Sequence, residues 1–289
     1  GHDRRTHTDY LLDAAYTVNT GSNGELRHLR SLATLERVYA GSTLVSQVST
    51  TYDDQASATC TLPYRLEDSG AGMQVDVHYT TALAERGNAR CVARWLDTTG
   101  EWAAAGAIYD TAGNAVERYD ERKRDATQWT AKTSIDYTDS FKAGTGAPVA
   151  ATKALPTKIT NPLSHEVRLQ YDYGTGKVTQ YTDANNAVTT YGYGGDLLDR
   201  LKTVELPVGK REFVYDDANR VITARQRLAS SPPKWKESRA RYDGFGRTVR
   251  QEESGGTTTI YVDRTYDGFG RVATVSNPHE GTAGGTTAT

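Results

Sequence analysis

The chain is 289 residues long, hydrophilic on average (mean hydropathy −0.64) and near neutral, with 34 basic and 36 acidic residues and a net charge of −2. Both signs are scattered along the chain with no basic stripe, which excludes the electrostatic footprint of a nucleic-acid binder. No segment approaches the ~20 apolar residues that a membrane-spanning helix needs.

The first 35 residues carry no regular pattern. Gly1-His2-Asp3-Arg4-Arg5-Thr6 has neither an apolar core nor a cleavage site of the signal-peptide kind. Glu25 to Leu32 reads either as a short helix or as a degenerate hairpin. Cys60 and Cys91 are the two cysteines. They either form one disulfide closing a loop of about 30 residues, worth about 3 kcal/mol, or stay as two half-buried thiols. Thr61-Leu62-Pro63 and Glu67 to Gly72 read as loops, and the mixed-sign run Glu117 to Arg124 as a solvated strand or loop. A surface excursion is expected at Lys142 to Pro148, an inbound strand at Ala187 to Tyr193, and a break at Ser230-Ser231-Pro232-Pro233-Lys234.

Tyrosine is the organising residue, with 18 Tyr against 4 Phe and 1 Met. Its ring packs while its hydroxyl meets water, which suits a wide, thin sheet better than a compact globule. Tyr52, Tyr79, Tyr109, Tyr137, Tyr171, Tyr193, Tyr215, Tyr242 and Tyr266 are separated by 27, 30, 28, 34, 22, 22, 27 and 24 residues. Self-similarity at such a period marks a repeat architecture, in which each unit buries its apolar face only against its neighbours.

The repeated unit is Tyr-Asp-x-x-Gly-Arg. Tyr242-Asp243-Gly244-Phe245-Gly246-Arg247 returns as Tyr266-Asp267-Gly268-Phe269-Gly270-Arg271, with weaker copies at Tyr109-Asp110 through Gly113 and at Tyr215-Asp216 through Asn219 and Arg220. Asp at the first and Gly at the fourth position are the preferences of a type I turn followed by a residue at positive φ. In the copy at Tyr215, Asn219 is expected to take that left-handed conformation. The flanks, Thr257 to Tyr266 inbound and Arg271 to Val275 outbound, alternate as strands do. The fold class is therefore all-β, a repeat of stacked β-hairpins forming one continuous curved antiparallel sheet. Residues 1–35 are an irregular segment or degenerate repeat, 36–276 are the repeats, and 277–289 begin a further repeat or form a tail. On that division Val275 lies on the outermost strand of an unfinished sheet, whose open edges invite self-association into oligomers or filaments.

Together with Asn161-Pro162-Leu163-Ser164-His165, Gln170 to Gly176, Leu198-Asp199-Arg200-Leu201, Arg86-Gly87-Asn88 and Arg94-Trp95-Leu96-Asp97, these units resemble the RHS/YD-repeat family over roughly Leu35 to Thr289. The family comprises bacterial polymorphic proteins, toxin-complex cocoon proteins and teneurins. The resemblance implies a β-sheet strip spiralling into a hollow shell, an extracellular or cell-surface location, and as partners the rest of the shell and a toxin cargo. The Asp-Pro-x-Gly core motif and a variable toxin domain are missing, so self-cleavage and toxicity are not implied.

No catalytic motif stands out. There is no Gly-x-Ser-x-Gly elbow and no complete phosphate loop, Gly174-Thr175-Gly176-Lys177 being read as a turn of the repeat. The histidines (His2, His7, His28, His78, His165, His279) show no zinc spacing. Asp53, Asp110, Asp172, Asp216, Asp243 and Asp267 make a row of turn formers rather than a pair of acid–base carboxylates. Arg200, Arg220, Arg247 and Arg271 are expected to pair with carboxylates of the adjacent hairpin and fix register. The expectation is a non-enzymatic scaffold that encloses or displays cargo, without cofactor or metal. The alternative is an adhesion module holding carbohydrate or protein on exposed Tyr and Trp (Trp95, Trp102, Trp129, Trp235).

Overall fold

The computed structural model describes residues 3–12, 16, 29, 31–70, 80–121, 129–194, 197–254, 258–281 and 286–288. The helix-or-hairpin reading of Glu25 to Leu32, the anchor Tyr79, His2, His28, His78 and the end of the 117–124 charge run fall wholly or largely outside the described residues. Every element with described bounds is a strand, as β-branched and aromatic flanks between Gly- and Asp-rich turns dictate. The chain divides into two compact units, Gly1–Leu169 and Gln170–Thr289.

Unit 1 holds β1 (Arg4–Tyr10), β2 (Ala33–Ala40), β3 (Thr43–Tyr52), β4 (Leu66–Glu67), β5 (Ala89–Leu96), β6 (Glu101–Asp110), β7 (Ala115–Tyr119), β8 (Lys132–Asp136), β9 (Lys158–Thr160) and most of β10 (Glu166–Tyr171). From β1 to β10 each strand pairs antiparallel with the next, except that β3 pairs directly with β5. β4 instead lies parallel to the end of β6, with Leu66 opposite Tyr109 and Glu67 opposite Asp110. Glu67, expected to open a loop, is therefore a strand residue, and the sheet is not wholly antiparallel. β1, within the segment expected to be irregular, runs in register with β2 from Arg4 opposite Ala40 to Asp9 opposite Leu35, and shifts by one residue to set Tyr10 opposite Ala33.

Unit 1 buries a core. Cys60, Leu62, Cys91 and Ile108 form it, and Val116, Tyr119 and Trp129 pack against it. Cys60 and Cys91 are joined by a disulfide with Cα atoms 5.8 Å apart. It fastens the long segment after β3 onto β5, and Leu62 of that segment packs with Ile108 of β6 in the same cluster.

Unit 2 holds β11 (Val178–Thr182), β12 (Val188–Tyr193), β13 (Leu201–Glu205), β14 (Lys210–Asp216), β15 (Val221–Ser230), β16 (Pro233–Tyr242), β17 (Thr248–Ser254), β18 (Thr259–Tyr266), β19 (Val272–Ser276) and β20 (Thr286–Ala288). Each pairs antiparallel with the next in sequence. Val275 is not on an outermost strand, because it pairs with Thr287 of β20 as well as with Arg264 of β18. Ser231 and Pro232 form the tight connection between β15 and β16, the two longest strands of the unit.

In the middle of unit 2 the registers sort side chains by chemistry. Phe213, Ala224, Ser238, Glu253 and Ile260 lie opposite one another, and Tyr215, Ile222, Ala240, Gln251 and Val262 form the next row of the same face. The opposite face carries Glu212, Arg225, Glu237, Ser254 and Thr259 in one row and Val214, Thr223, Arg239, Glu252 and Tyr261 in the next. Period-2 alternation thus makes one mainly apolar and one charged surface.

Candidate functional site: the turn locks and the sheet faces

The repeated turn is built by its aspartate. Asp243 Oδ1 accepts the backbone N–H of Phe245 and of Arg247, while Gly246 N–H donates to the Asp243 carbonyl and Gly246 sits at φ 77°. Asp267 holds Phe269 and Arg271 in the same way, with Gly270 at φ 81°. Asp110 holds Ala112 and Asn114, with Gly113 at φ 86°. The copy at Tyr215 differs from expectation. Asp216 stays paired with Val221, so the turn is one residue longer, and Arg220 rather than Asn219 takes the left-handed conformation at φ 56°. Asn219 instead donates its backbone N–H and its side-chain amide to the Asp216 carboxylate.

Two further turns of this kind escaped the sequence reading. Asn161 Oδ1 accepts from Leu163 and His165 with Ser164 at φ 64°, and Asp183 Oδ1 accepts from Asn185 and Ala187 with Asn186 at φ 62°. The usable signal is Asp or Asn three residues before Gly, Asn or Ser, without the tyrosine.

The tyrosine locks one hairpin to the one before. Tyr109, Tyr137, Tyr215 and Tyr266 donate their hydroxyls to the carbonyls of Ala89, Ala115, Leu201 and Thr248, at 3.1, 3.4, 2.8 and 2.8 Å. Each acceptor opens the strand that leaves the preceding turn or loop. Tyr52, Tyr109, Tyr193, Tyr242 and Tyr266 also sit at register shifts of their ladders, where the extra residue of a β-bulge re-aims the side chain. The basic residue after a turn then covers the next tyrosine. Lys177 lies 5.2 Å from the Tyr193 ring centroid, Arg200 4.1 Å from that of Tyr215 and Arg247 4.4 Å from that of Tyr266. The hydroxyl bond contributes about 1 kcal/mol and the cation–π contact about 0.5–1 kcal/mol. Phe would keep a ring under the cation but lose the hydroxyl bond.

The arginines follow the expected pairing only in part. Arg200 grips Asp217 of the next turn with two bonds of 2.7 and 2.8 Å. Arg247 and Arg271 instead close on Asp243 and Asp267 of their own turns, at 2.6 and 2.8 Å. The four-residue spacing across a tight turn brings the two ends closer together than the neighbouring hairpin. The Arg271 backbone N–H, then its guanidinium, hold the Asp267 carboxyl below the usual carboxylate range, and Asn219 does the same for Asp216.

Asp53 does not belong to this row. It is 2% exposed and accepts the N–H groups of Arg86, Gly87 and Asn88 at 2.9, 2.7 and 3.1 Å and the Tyr16 hydroxyl at 3.0 Å. Burial pushes its carboxyl up, opposed by these hydrogen bonds. The Arg86 side chain reaches the carbonyls of Leu83, Thr80 and Thr111, so Arg86-Gly87-Asn88 is a clasp and not a further turn copy. Elsewhere in unit 1, Glu117 accepts from Lys132 and from the Tyr119 hydroxyl, both at 2.6 Å; burial, then Glu117, push that hydroxyl up to about 12.

Two recesses mark the faces of unit 2. The apolar face forms an open groove of about 1020 Å³ whose lining includes Phe213, Ile222, Ala240, Tyr242, Ile260 and Val262. The charged face has a smaller cleft of about 120 Å³ lined by Glu237, Arg239, Glu252, Ser254, Thr259 and Tyr261. Of the tryptophans, Trp95 and Trp102 face each other across β5 and β6, and Trp129 meets Tyr119 edge-on at 5.7 Å. Among the described residues no group of three His, Cys, Asp or Glu side chains is placed to hold a metal ion, and no helix is long and apolar enough to cross a membrane.

No family model matches the chain, and no curated protein does. Among solved structures it aligns with TcdB2-TccC3 lacking the hypervariable C-terminal region at TM-score 0.48 and 13% identity, covering 87% of this chain and 12% of that one. A second TcdB2-TccC3 structure aligns at TM-score 0.29 and 9% identity, covering 88% of this chain and 19% of that one. The chain therefore spans less than a fifth of the length of either structure.

Proposed function

We propose that the chain is a non-enzymatic wall segment of a secreted or surface-exposed RHS-type protein, forming part of a β-shell that encloses or displays cargo. The observation that carries this reading is a lock that recurs along unit 2, where a cation after one turn covers the next tyrosine, as at Lys177–Tyr193, Arg200–Tyr215 and Arg247–Tyr266. Such a junction is satisfied by its two hairpins alone, so the sheet lengthens by repetition without a common core. The turn aspartates support the same reading, because their oxygens are engaged by their own turns.

Inserting a second copy of residues 242–265 before Tyr266 tests it. An extensible wall is expected to keep its melting temperature within a few degrees and to gain two strands by circular dichroism and hydrogen exchange. Loss of cooperative folding on insertion overturns the reading. Electron microscopy of the full-length gene product tests the enclosing role, with a closed shell expected and a solid globule ruling it out.

Among the described residues β1 pairs with β2 alone, and the same reading makes its other edge a pairing site for another copy. Arg4 and Arg5 on that strand repel their counterparts, so association is expected to strengthen as salt rises. Light scattering that finds a monodisperse monomer in concentrated solution at high salt removes this part of the proposal.

A further inference from the structure

The charged face of unit 2 holds a recess that the wall reading does not use. Its floor and sides come from three adjacent strands, β16, β17 and β18, in two neighbouring rows: Arg239, Glu252 and Tyr261 in one, Glu237, Ser254 and Thr259 in the next. The row on the far side of Tyr261 carries Arg250 and Asp263, and the Arg250 guanidinium lies 5.2 Å from the Tyr261 ring centroid. One side of the ring is thus backed by a cation, itself fixed by Asp263 at 2.6 and 3.0 Å. His279, bridged to Tyr261 through the backbone and in contact with Asp263, sets its ring 5.8 Å from the tyrosine at 31°, and the tyrosine also lines the cleft.

The polar groups around that ring are held in place before any ligand arrives. Glu237 accepts from Arg225 of its own row at 2.7 Å and from Arg239 of the neighbouring row at 2.5 Å, so both of its oxygens are engaged. Glu252 makes no ion pair among the described residues and offers free acceptor oxygens beside the ring. Ser254 and Thr259 add hydroxyls that donate and accept equally well.

The chemistry of the lining selects the ligand. Two carboxylates oppose a phosphate or carboxylate group. The polar sides disfavour an apolar guest, and the Arg239 cation lying against Glu237 disfavours a metal ion. A neutral polyhydroxylated ring answers every feature: an apolar face for the tyrosine, and hydroxyls that donate to Glu252 and accept from Arg239 and Thr259. The volume of about 120 Å³ in an open cleft admits one such ring with the rest of a chain outside. We propose that this cleft is a subsite for one pyranose unit of a neutral glycan, with Tyr261 as the platform and Glu252 as the principal acceptor. The inference does not rest on the wall reading, since β16, β17 and β18 alone build the cleft.

The test is a glycan array probed with the whole chain, followed by titration of the retained oligosaccharide by saturation-transfer NMR. Neutral hexose oligosaccharides are expected to be retained above acidic ones. Glu252→Gln, which removes one charge-assisted contact, and Tyr261→Ala, which removes the stacking platform, should each weaken binding roughly tenfold. Tyr261→Phe keeps the platform and should stay within about twofold. Circular dichroism of each variant reports whether the sheet is intact, and Thr259→Val, which preserves strand propensity, gives a weakening that a folding defect does not explain. Retention of no glycan, equal binding by wild type and Glu252→Gln, or preference for a basic peptide over every glycan would each overturn the proposal.

Discussion

The two units build sheets from the same strand pattern and stabilise them by different means. Unit 1 contains nine of the ten buried apolar side chains among the described residues, and unit 2 only Tyr171. In unit 1 the segment after β3 folds back over the strands and is fixed by the Cys60–Cys91 disulfide and the Asp53 clasp. Unit 2 relies on backbone ladders, on tyrosine locks of the kind unit 1 also carries at Tyr109 and Tyr137, and on cross-strand ion pairs such as Arg225–Glu237 and Arg250–Asp263. The contacts that hold a junction of unit 2 are local to it, so the loss of any one is expected to be felt there first.

The sharpest way to break the comparison is Asp53→Ala. It leaves three half-buried N–H groups and the buried Tyr16 hydroxyl without their acceptor, and is expected to cost about 3–5 kcal/mol. Asp53→Asn, which keeps an acceptor oxygen, should cost less. Hydrogen exchange is the readout: protection should fall at Arg86 to Asn88 and through β5, while β14 to β17 keep theirs. An equal loss in both units would mean that they do not unfold separately.

Reducing the disulfide comes next. Its 31-residue separation predicts a loss of about 3 kcal/mol. Urea melts with and without reductant should show the change in the fluorescence of Trp129, which packs on this core, and leave that of Trp235 in β16 unchanged.

The sequence made the class legible because the repeat of Tyr-Asp turns with β-branched flanks is a local signal, and local turn chemistry was decisive there. Gly113, Gly246 and Gly270 take the positive φ that their place in the unit demands. The lock was not legible. Nothing in Tyr266 alone says that its hydroxyl reaches Thr248, because that bond depends on register and on a bulge. Asp53 was misread for a related reason. It follows Tyr52 as a turn aspartate should, but its partners lie more than 30 residues away, at Arg86 to Asn88. The cleft on the charged face was invisible too, since Glu237, Glu252 and Tyr261 meet only once three strands are in register.

Gly246→Val addresses unit 2 directly. No atom lies within 4 Å of the added Cβ, so the whole effect is backbone strain at φ 77°, about 1–3 kcal/mol. Gly270→Val should behave similarly, with a further contact at 3.4 Å from Arg247. Unchanged urea midpoints would remove the turn from the stabilising features of this unit. Tyr266→Phe probes the lock itself and should cost about 1 kcal/mol, the value of one hydroxyl bond, while Tyr266→Ala, which also removes the ring under Arg247, should cost clearly more.

The smallest expected effect is the response to acid, and it separates the units by sign. In unit 2 the resolved carboxylate shifts, at Asp216, Asp243, Asp263 and Asp267, are all downward from the ordinary value of 3.8. A carboxyl that ionises more readily when folded stabilises the fold above its unfolded value, and that contribution is lost as pH falls through the folded one. Unit 2 should therefore weaken steadily as pH drops below about 4. Unit 1 is mixed. Glu117 and Asp136 shift downward and lose stabilisation in the same direction, whereas burial raises Asp53, so proton uptake there favours the folded state as pH falls. Screening by solvent keeps the exposed turn aspartates' contribution small. Hydrogen exchange at pH 6 and pH 3, corrected for intrinsic rates, should show the larger loss of protection in β14 to β19, and a larger loss in β5 to β7 would reverse the assignment of these carboxylates to stability.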